Sequence, residues 1–543
     1  MKTTLHILVI LVLSYIFFFH SLGSYSLKEP DEGRYAEIPR EMVETGDYVV
    51  PHLDYVRYFE KPPLLYWATA LSFKIFGVSE WSARLPNALA ALLTVLILYL
   101  AVTRWFTPEA APLSAVVLIS SFGFFTMARI LTIDMLLSCT LFLSLIFFYE
   151  FYRQKKARSI YLFYACLGMA TLAKGPVAPL LIGVSLLIFL TLERRVSFLK
   201  ALLSGKGLLL YAILVLPWFV AIALREKEFL WFFFVDQNFL RFLTQKHHRS
   251  GPIYYFLPVL FGGLFPWSIF IPRAVAAFWR RREFHLFLIW FLVVFLFFSL
   301  SGSKLPPYIL PAFPALAILL GSLFQDRAGR PTPGRPEILA YQFLFGLFAL
   351  AGLLVATGAG SSYLRAEPET LTILKDLKGF SIAIVCFSVL PIGLLFLQMM
   401  RSSRPLFLIL TCFSLAVVVL LMMHTHLIDK VNTTKELAQI INQRKAGGKP
   451  TVVNFASFDE TLPFYTRQKV YIASYKGELE VGSTYQDSQQ MFLSNEEFAN
   501  LFKSDRQVLC VLKATRLERL RDLGIENVHI LDCRGGRCLV SNK

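Results

Sequence analysis

Residues 30–67 read PDEGRYAEIPREMVETGDYVVPHLDYVRYFEKPPLLYW, a dense run of carboxylates, guanidiniums and aromatics between two long apolar stretches. A segment this charged next to hydrocarbon belongs in water at the membrane surface. Its residue types suit the handling of a polar or anionic group there. Asp31 is a candidate for taking a proton from an attacking group, or for steadying positive charge on a sugar ring. Standing just before a short helix over 32–45, it could instead be a plain N-cap. Glu32 falls on another helix face and reads as structural. Farther along, Arg57, Tyr58, Glu60 and Lys61 precede Pro62-Pro63 and a helix entering the membrane interface. A cation, an aromatic ring and a helix N-terminus together favour a phosphate, with Arg34 and Arg57 as further donors. The plainer alternative is an interfacial anchor, since Lys and Tyr commonly sit at headgroup depth.

Four later clusters carry similar chemistry. Asp134 follows Arg129 by five positions at a span's outer end, where it could be simply solvated or form a structural ion pair with that arginine. Lys174-Gly175-Pro176 is a tight turn whose ammonium could reach that site. Lys304, in SGSKLPPY ending at Tyr308, repeats the theme of a lysine ahead of prolines and an aromatic ring. Gln245-Lys246-His247-His248-Arg249 offers hydrogen bonds to phosphate. Alternatively, one of these histidines joins Glu60 in holding Zn²⁺ or Mn²⁺ with water.

The elements that must position these residues are membrane helices. Of 543 residues, 56% are hydrophobic and 17% charged, with mean hydropathy +0.56. Soluble domains carry about 25% charged residues. Apolar runs predict thirteen spans, near 5–22, 84–103, 111–128, 135–152, 160–173, 177–192, 207–224, 253–272, 284–300, 305–324, 338–357, 380–400 and 405–424. The pair at 160–192 is short. The first run, Leu5 to Phe19, reads as an uncleaved span, because Ser21-Leu22-Gly23 is a poor cleavage site. Alternate connections are basic, including Arg153–Arg158, Arg280–Arg282 and Arg401–Arg404, and all fit the cytoplasmic side together. The connections at 24–83, 129–134, 174–176, 225–252, 301–304 and 358–379 then lie outside, as does the tail from 425. The net charge of +17 sits mostly in short loops, which argues for anionic lipid headgroups and against nucleic acid. Few charges fall at mid-span, where a proton-coupled transporter needs them.

After residue 424 the pattern becomes short alternating helices and strands. Helices are expected at 435–445 and 517–523, and strands at 451–456, 470–473, 508–512 and 528–531. A small α/β domain over 425–543 follows, without a nucleotide-binding glycine fingerprint. Cys533 and Cys538 flank a turn that a disulfide could cross. The other cysteines read as small hydrophobes.

Taken in order, PDEGRYAE at 30–37, GDYVVPH at 46–52, RYFEKP at 57–62, AKG at 173–175 and SGSKLPPYILP at 301–311 resemble the bacterial 4-amino-4-deoxy-L-arabinose transferases that modify lipid A. These belong to the protein O-mannosyltransferase-like, polyprenyl-phosphate-dependent glycosyltransferases of family 39. The resemblance implies a mainly α GT-C fold of about thirteen transmembrane helices with a small outer α/β domain, in the bacterial inner membrane. It implies an undecaprenyl-phosphate sugar donor, a lipid A acceptor and inverting transfer at the periplasmic face. Asp31 becomes the leading catalytic candidate, with Asp134 nearby. Arg34, Tyr58 and Lys61 would hold the donor phosphate, helped by Arg57, Lys174, Arg249, Lys304 and Tyr308. A divalent metal such as Zn²⁺ is implied near Glu60 and either His247 or His248. The family's usual Thr after the acidic pair is Gly33 here. A related enzyme acting on protein hydroxyls or another glycan is the main alternative. A lipid or polysaccharide transporter is a lesser one.

Overall fold

The computed structural model describes residues 2–240, 251–325, 335–357, 403–423, 425, 432–444 and 450–543. Most of it is helix. Six described helices are long and apolar enough to cross a membrane, or eight if each of two bent pairs counts as one span. They include Glu80–Trp105, Ile133–Gln154, Gly205–Arg225 and Leu406–Met423. Thirteen spans are therefore not established, and the expected span at 380–400 lies outside the described residues.

Two expected spans are not straight. The run at 111–128 is two helices, Ala110–Ser120 and Phe122–Arg129, meeting at 62°. Ser121 is the extended residue between them, and its hydroxyl returns to Val117 O at 2.6 Å. The run at 253–272 breaks by 119° between Phe256–Gly263 and Ser268–Phe278, across Pro266, whose lack of an N–H favours such a break. The expected short pair forms as Ala157–Lys174 and Val177–Leu192 around the Gly175-Pro176 turn.

The charged first loop is not laid out in water. Its helix Asp31–Thr45 buries Glu32, Arg34, Glu37, Arg40 and Glu41, and Asp54 is also buried. Internal pairing makes this tolerable, since a buried charge needs a partner and hydrogen bonds. Arg84 meets Glu32 through Nε at 2.7 Å and Nη2 at 2.8 Å, and donates to the carbonyls of Leu22, Tyr25 and Ser26. Glu32 also accepts Leu131 N at 2.9 Å. Glu32 is thus structural, tying the loop to helix Glu80–Trp105 and to the turn before Ile133–Gln154. Gly46, at φ +76°, ends the helix in the left-handed conformation that favours glycine.

Two short strands, β1 (His52–Leu53) and β2 (Val56–Arg57), form a hairpin in this loop. The C-terminal part folds around six more: β3 (Thr451–Phe455), β4 (Tyr471–Ala473), β5 (Phe492–Leu493), β6 (Val508–Lys513), β7 (His529–Arg534) and β8 (Arg537–Ser541). Their order is β5-β4-β3-β6-β8-β7, parallel from β5 to β6 and antiparallel beyond. The central strands are apolar runs because both sheet faces are covered. Cys533 and Cys538 face each other across β7 and β8 and are joined by a disulfide. The expected helix at 435–445 forms as Lys435–Arg444, while 517–523 shrinks to Glu518–Asp522. Strand β8 and helix Asn495–Phe502 were not anticipated.

This domain sits on the first loop. A Cβ on Gly33 would lie 2.6 Å from Thr461 N and 2.7 Å from Glu460 C, so the missing side chain lets the two backbones touch. Glu29 caps the short helix Thr461–Thr466, accepting from Glu460 N and Thr461 N at 2.8 Å each. Asp54 Oδ1 accepts Val470 N at 3.0 Å.

Candidate active site

A cavity of about 650 Å³ opens where the first loop, four helix ends and the segment 301–308 meet. Its polar side carries Asp31, Arg34, Tyr35, Glu60, Lys61, Asp134 and Lys174. Its apolar side carries Val177, Leu180, Phe234, Phe297, Phe298 and Leu305, with Tyr308 between. Residues separated by up to 277 positions are thereby brought to one place.

Each carboxylate here faces a cation. Asp134, in the first turn of Ile133–Gln154, meets Lys174 at 2.5 Å. Lys174 ends helix Ala157–Lys174, so each charge sits at the helix end that favours it. The Lys174 ammonium lies 4.2 Å from the Tyr308 ring centroid. The turn that starts the Asp134 helix is held by Asn87, which donates to Ile130 O at 2.6 Å and Thr132 O at 2.8 Å. Arg129 is not the partner of Asp134. It donates to the carbonyls of Phe17, His20 and Ser21.

Asp31 has a side chain 51% exposed, with Oδ1 3.2 Å from Arg34 Nη1. It opens the helix, but Pro30 is the cap residue, and no side-chain cap bond forms. Arg34 is shared. Its Nε reaches Glu478 Oε1 at 3.0 Å and its Nη2 reaches Glu478 Oε2 at 2.5 Å, with Glu460 at 3.8 Å. Burial lowers the Arg34 pKa, but the adjacent Glu478 carboxylate outweighs it, so the guanidinium stays charged. Glu60 and Lys61 stand side by side at 3.9 Å, and Lys61 Nζ donates to Glu60 O at 3.1 Å.

Other expected site residues stand elsewhere. Arg57 is not in the cavity lining: Nε bonds Glu226 at 2.9 Å, Nη1 bonds Asp487 at 2.7 Å, and the guanidinium covers the Tyr485 ring at 4.4 Å. It clasps β2, the start of the loop after Gly205–Arg225, and the C-terminal domain. Tyr58 is buried behind Arg34, its hydroxyl without a hydrogen-bond partner among the described residues. Burial, offset in part by Arg34, raises the Tyr58 pKa well above a phenol's usual value, so it stays neutral. Lys304 lies beside the cavity and donates to Ser301 O at 2.6 Å. Arg249, His247 and His248 lie outside the described residues. Glu60 is therefore the only described member of the expected metal set, and among the described residues no three candidate ligands cluster.

Glu478 and Glu460 were missed. Their segment carries no local motif, and only the fold brings it over the first loop.

A polar pocket continuous with an apolar wall, on a helical bundle whose first loop is covered by an α/β domain, is the arrangement of a membrane glycosyltransferase that uses a polyprenyl-phosphate donor, the class to which the relatives below belong. Residues 60–220 match a family described as dolichyl-phosphate-mannose-protein mannosyltransferase, and 437–541 match the aminoarabinose transferase C-terminal domain. The chain belongs to the undecaprenyl phosphate-α-4-amino-4-deoxy-L-arabinose arabinosyl transferase family. It is 30% identical over 509 residues to such a transferase from Proteus mirabilis, covering 91% of this chain and 90% of that one. One from Yersinia enterocolitica is 29% identical, with 92% of each chain covered. The crystal structure of ArnT from Cupriavidus metallidurans bound to undecaprenyl phosphate superposes with a TM-score of 0.86 at 27% identity, covering 99% of this chain and 98% of that chain. An archaeal oligosaccharyltransferase from Archaeoglobus fulgidus, at 12% identity and TM-score 0.50, shares the fold alone.

Proposed function

We propose that this protein transfers 4-amino-4-deoxy-L-arabinose from undecaprenyl phosphate to a phosphate of lipid A. The reaction belongs to the periplasmic face of the bacterial inner membrane, with residues 1–424 as the catalytic membrane domain and 425–543 as its outer domain. The observation that carries the reading is the cavity's two-sided lining. Its charged side suits a sugar phosphate, and its apolar side of Val177, Leu180, Phe234 and Phe297 suits a polyprenyl chain. The names of the relatives support the same donor.

In the proposed reaction an oxygen of the acceptor attacks the anomeric carbon, and the bond from that carbon to the undecaprenyl phosphate breaks. Undecaprenyl phosphate leaves with the electron pair, and direct displacement inverts the centre. Lys61 offsets negative charge as it grows on the leaving phosphate. Lys174 and Arg34 add positive potential, though each is partly neutralised by its carboxylate. A lipid A phosphate is already ionised and needs little help from a base. Asp31 therefore orients the acceptor or steadies oxocarbenium-like charge on the ring. With a hydroxyl acceptor, Asp31 would have to take the proton.

Mass spectrometry of lipid A from donor-producing cells with and without the protein tests the reading. Aminoarabinose appearing only with the protein supports it. Unmodified lipid A in both, with donor present, sinks it.

A further inference from the structure

Three helices that shape the transfer cavity at one end also shape a second cavity at the other. Ile133–Gln154 contributes Asp134 to the first and Tyr149, Tyr152 and Arg153 to the second. Val177–Leu192 contributes Val177 and Leu180 to the first and Phe189 to the second, with Glu193 and Arg195 just beyond it. His285–Leu300 contributes Phe297 and Phe298 to the first, while Arg282 and Glu283 precede it in the second. A helix of 22 residues is roughly 33 Å long, close to the thickness of a bilayer's hydrocarbon core. The two cavities thus face opposite sides of the membrane.

The second cavity has a volume of about 350 Å³. Three guanidiniums enter it, from Arg153, Arg195 and Arg282, and none of them is in an ion pair among the described residues. Two are steadied on aromatic rings: Arg153 lies 6.0 Å from the Tyr149 centroid and Arg195 lies 5.5 Å from that of Tyr152. At this range the rings attract the exposed cations while leaving their N–H groups for a ligand. The opposing carboxylates are Glu193 and Glu283. Glu193 already faces His285 Nδ1 at 2.9 Å. The Tyr152 ring itself packs against Phe148, Phe189 and Phe198. Around the pocket Leu187, Ile188, Leu192 and Val196 are exposed, as lipid-facing residues are. Loop charges that merely orient helices need no concave site with aromatic walls. These have one.

We propose that this cavity binds the phosphate of an anionic phospholipid headgroup, gripped by Arg153, Arg195 and Arg282, on the membrane face opposite the transfer cavity. Guanidinium forks match phosphate oxygens, and basic pockets between membrane helices suit anionic headgroups. The exposed apolar neighbours would carry the acyl chains.

The test uses the full-length protein in nanodiscs, with arginine modification by phenylglyoxal read by peptide mass spectrometry. Arg194 and Arg280, outside the cavity lining, serve as internal references. Relative to them, Arg195 and Arg282 should react at least about fivefold more slowly in phosphatidylglycerol than in phosphatidylcholine. Native mass spectrometry should show a retained phosphatidylglycerol that the R153A/R195A/R282A variant loses. Equal modification in both lipids overturns the site without any variant being made. Protection by millimolar inorganic phosphate in phosphatidylcholine, with phosphatidylglycerol ineffective, assigns the pocket to a soluble phosphate and overturns the lipid source. Retention of the lipid by the triple variant also overturns the proposal.

Discussion

Arg34 and Glu478 lie 444 positions apart in the chain and meet in a two-point ion pair, at 3.0 Å through Nε and 2.5 Å through Nη2. The same guanidinium reaches Asp31 with Nη1 at 3.2 Å. A side chain of the C-terminal domain thus orients the cation that touches the foremost catalytic candidate. Glu478→Gln keeps the shape and removes the charge. Breaking such a pair by losing one partner costs about 3–5 kcal/mol where both are fully buried, and less here because the Glu478 side chain is 20% exposed. Glu478→Gln should therefore lower the melting temperature and cut transfer by about tenfold or more, equivalent to about 1.4 kcal/mol of barrier. Transfer assays and thermal melts of the purified variant check this. Activity within twofold of the wild type would show that Arg34 needs no such partner.

Asp31→Asn should nearly abolish transfer while leaving the melting temperature unchanged within error, because the side chain is half exposed and its ion-pair partner, Arg34, keeps Glu478. Lys61→Ala should instead weaken donor binding. Titration with undecaprenyl phosphate separates the two: an unaltered affinity in Lys61→Ala would remove it from the phosphate site.

Asp134 and Lys174 should behave as one unit. Each single neutral variant, Asp134→Asn or Lys174→Met, leaves its partner unpaired in the cavity wall. The double variant should then lose much less than the sum of the singles, a coupling of about 0.5–3 kcal/mol. Additive losses would mean that the two residues act on the substrate separately.

Much of this site was legible in sequence, for a physical reason. Lys61, Asp134, Lys174 and Tyr308 stand at or just before the ends of apolar helices, Asp31 opens the charged loop helix between two of them, and the alternation of basic connections predicts one membrane face for all five. Arg57 was misjudged because adjacency in a motif does not fix direction. It lies at the β2 end of the hairpin, and its side chain leaves toward Glu226 and Asp487. The burial of the first loop was also not foreseen. Its cover comes from the C-terminal domain, and nothing within residues 30–67 signals that contact. Gly33 was the one local clue, a missing side chain under Thr461 that looked only like a departure from the family pattern.

That contact makes Gly33 a testable position. Gly33→Ala places a methyl group within 3.0 Å of the Glu460–Thr461 backbone, which cannot yield as a flexible side chain would. Overpacking of this kind costs about 1–3 kcal/mol. The variant should release the C-terminal domain first, read as faster proteolysis between residues 425 and 450 and as lower transfer. Unchanged proteolysis would mean that the two backbones part without cost.

The same interface should respond to pH. Burial, then the neighbouring charge of Glu29, raises the pKa of Glu460 well above the carboxylate range. Glu460 therefore holds its proton in the docked state at a pH where the exposed, unfolded carboxyl has lost it. The folded form binds more protons over that window, so stability falls as pH rises from the ordinary carboxylate pKa toward the raised one. Below the window the contribution is complete. Glu460→Gln, which is permanently neutral, should melt at the wild-type temperature near pH 5 and above it near pH 8, flattening the profile in between. Melting curves across that range decide it. A wild-type profile that stays flat, or a Gln variant that remains parallel to it, would show that Glu460 is ionised in the docked state.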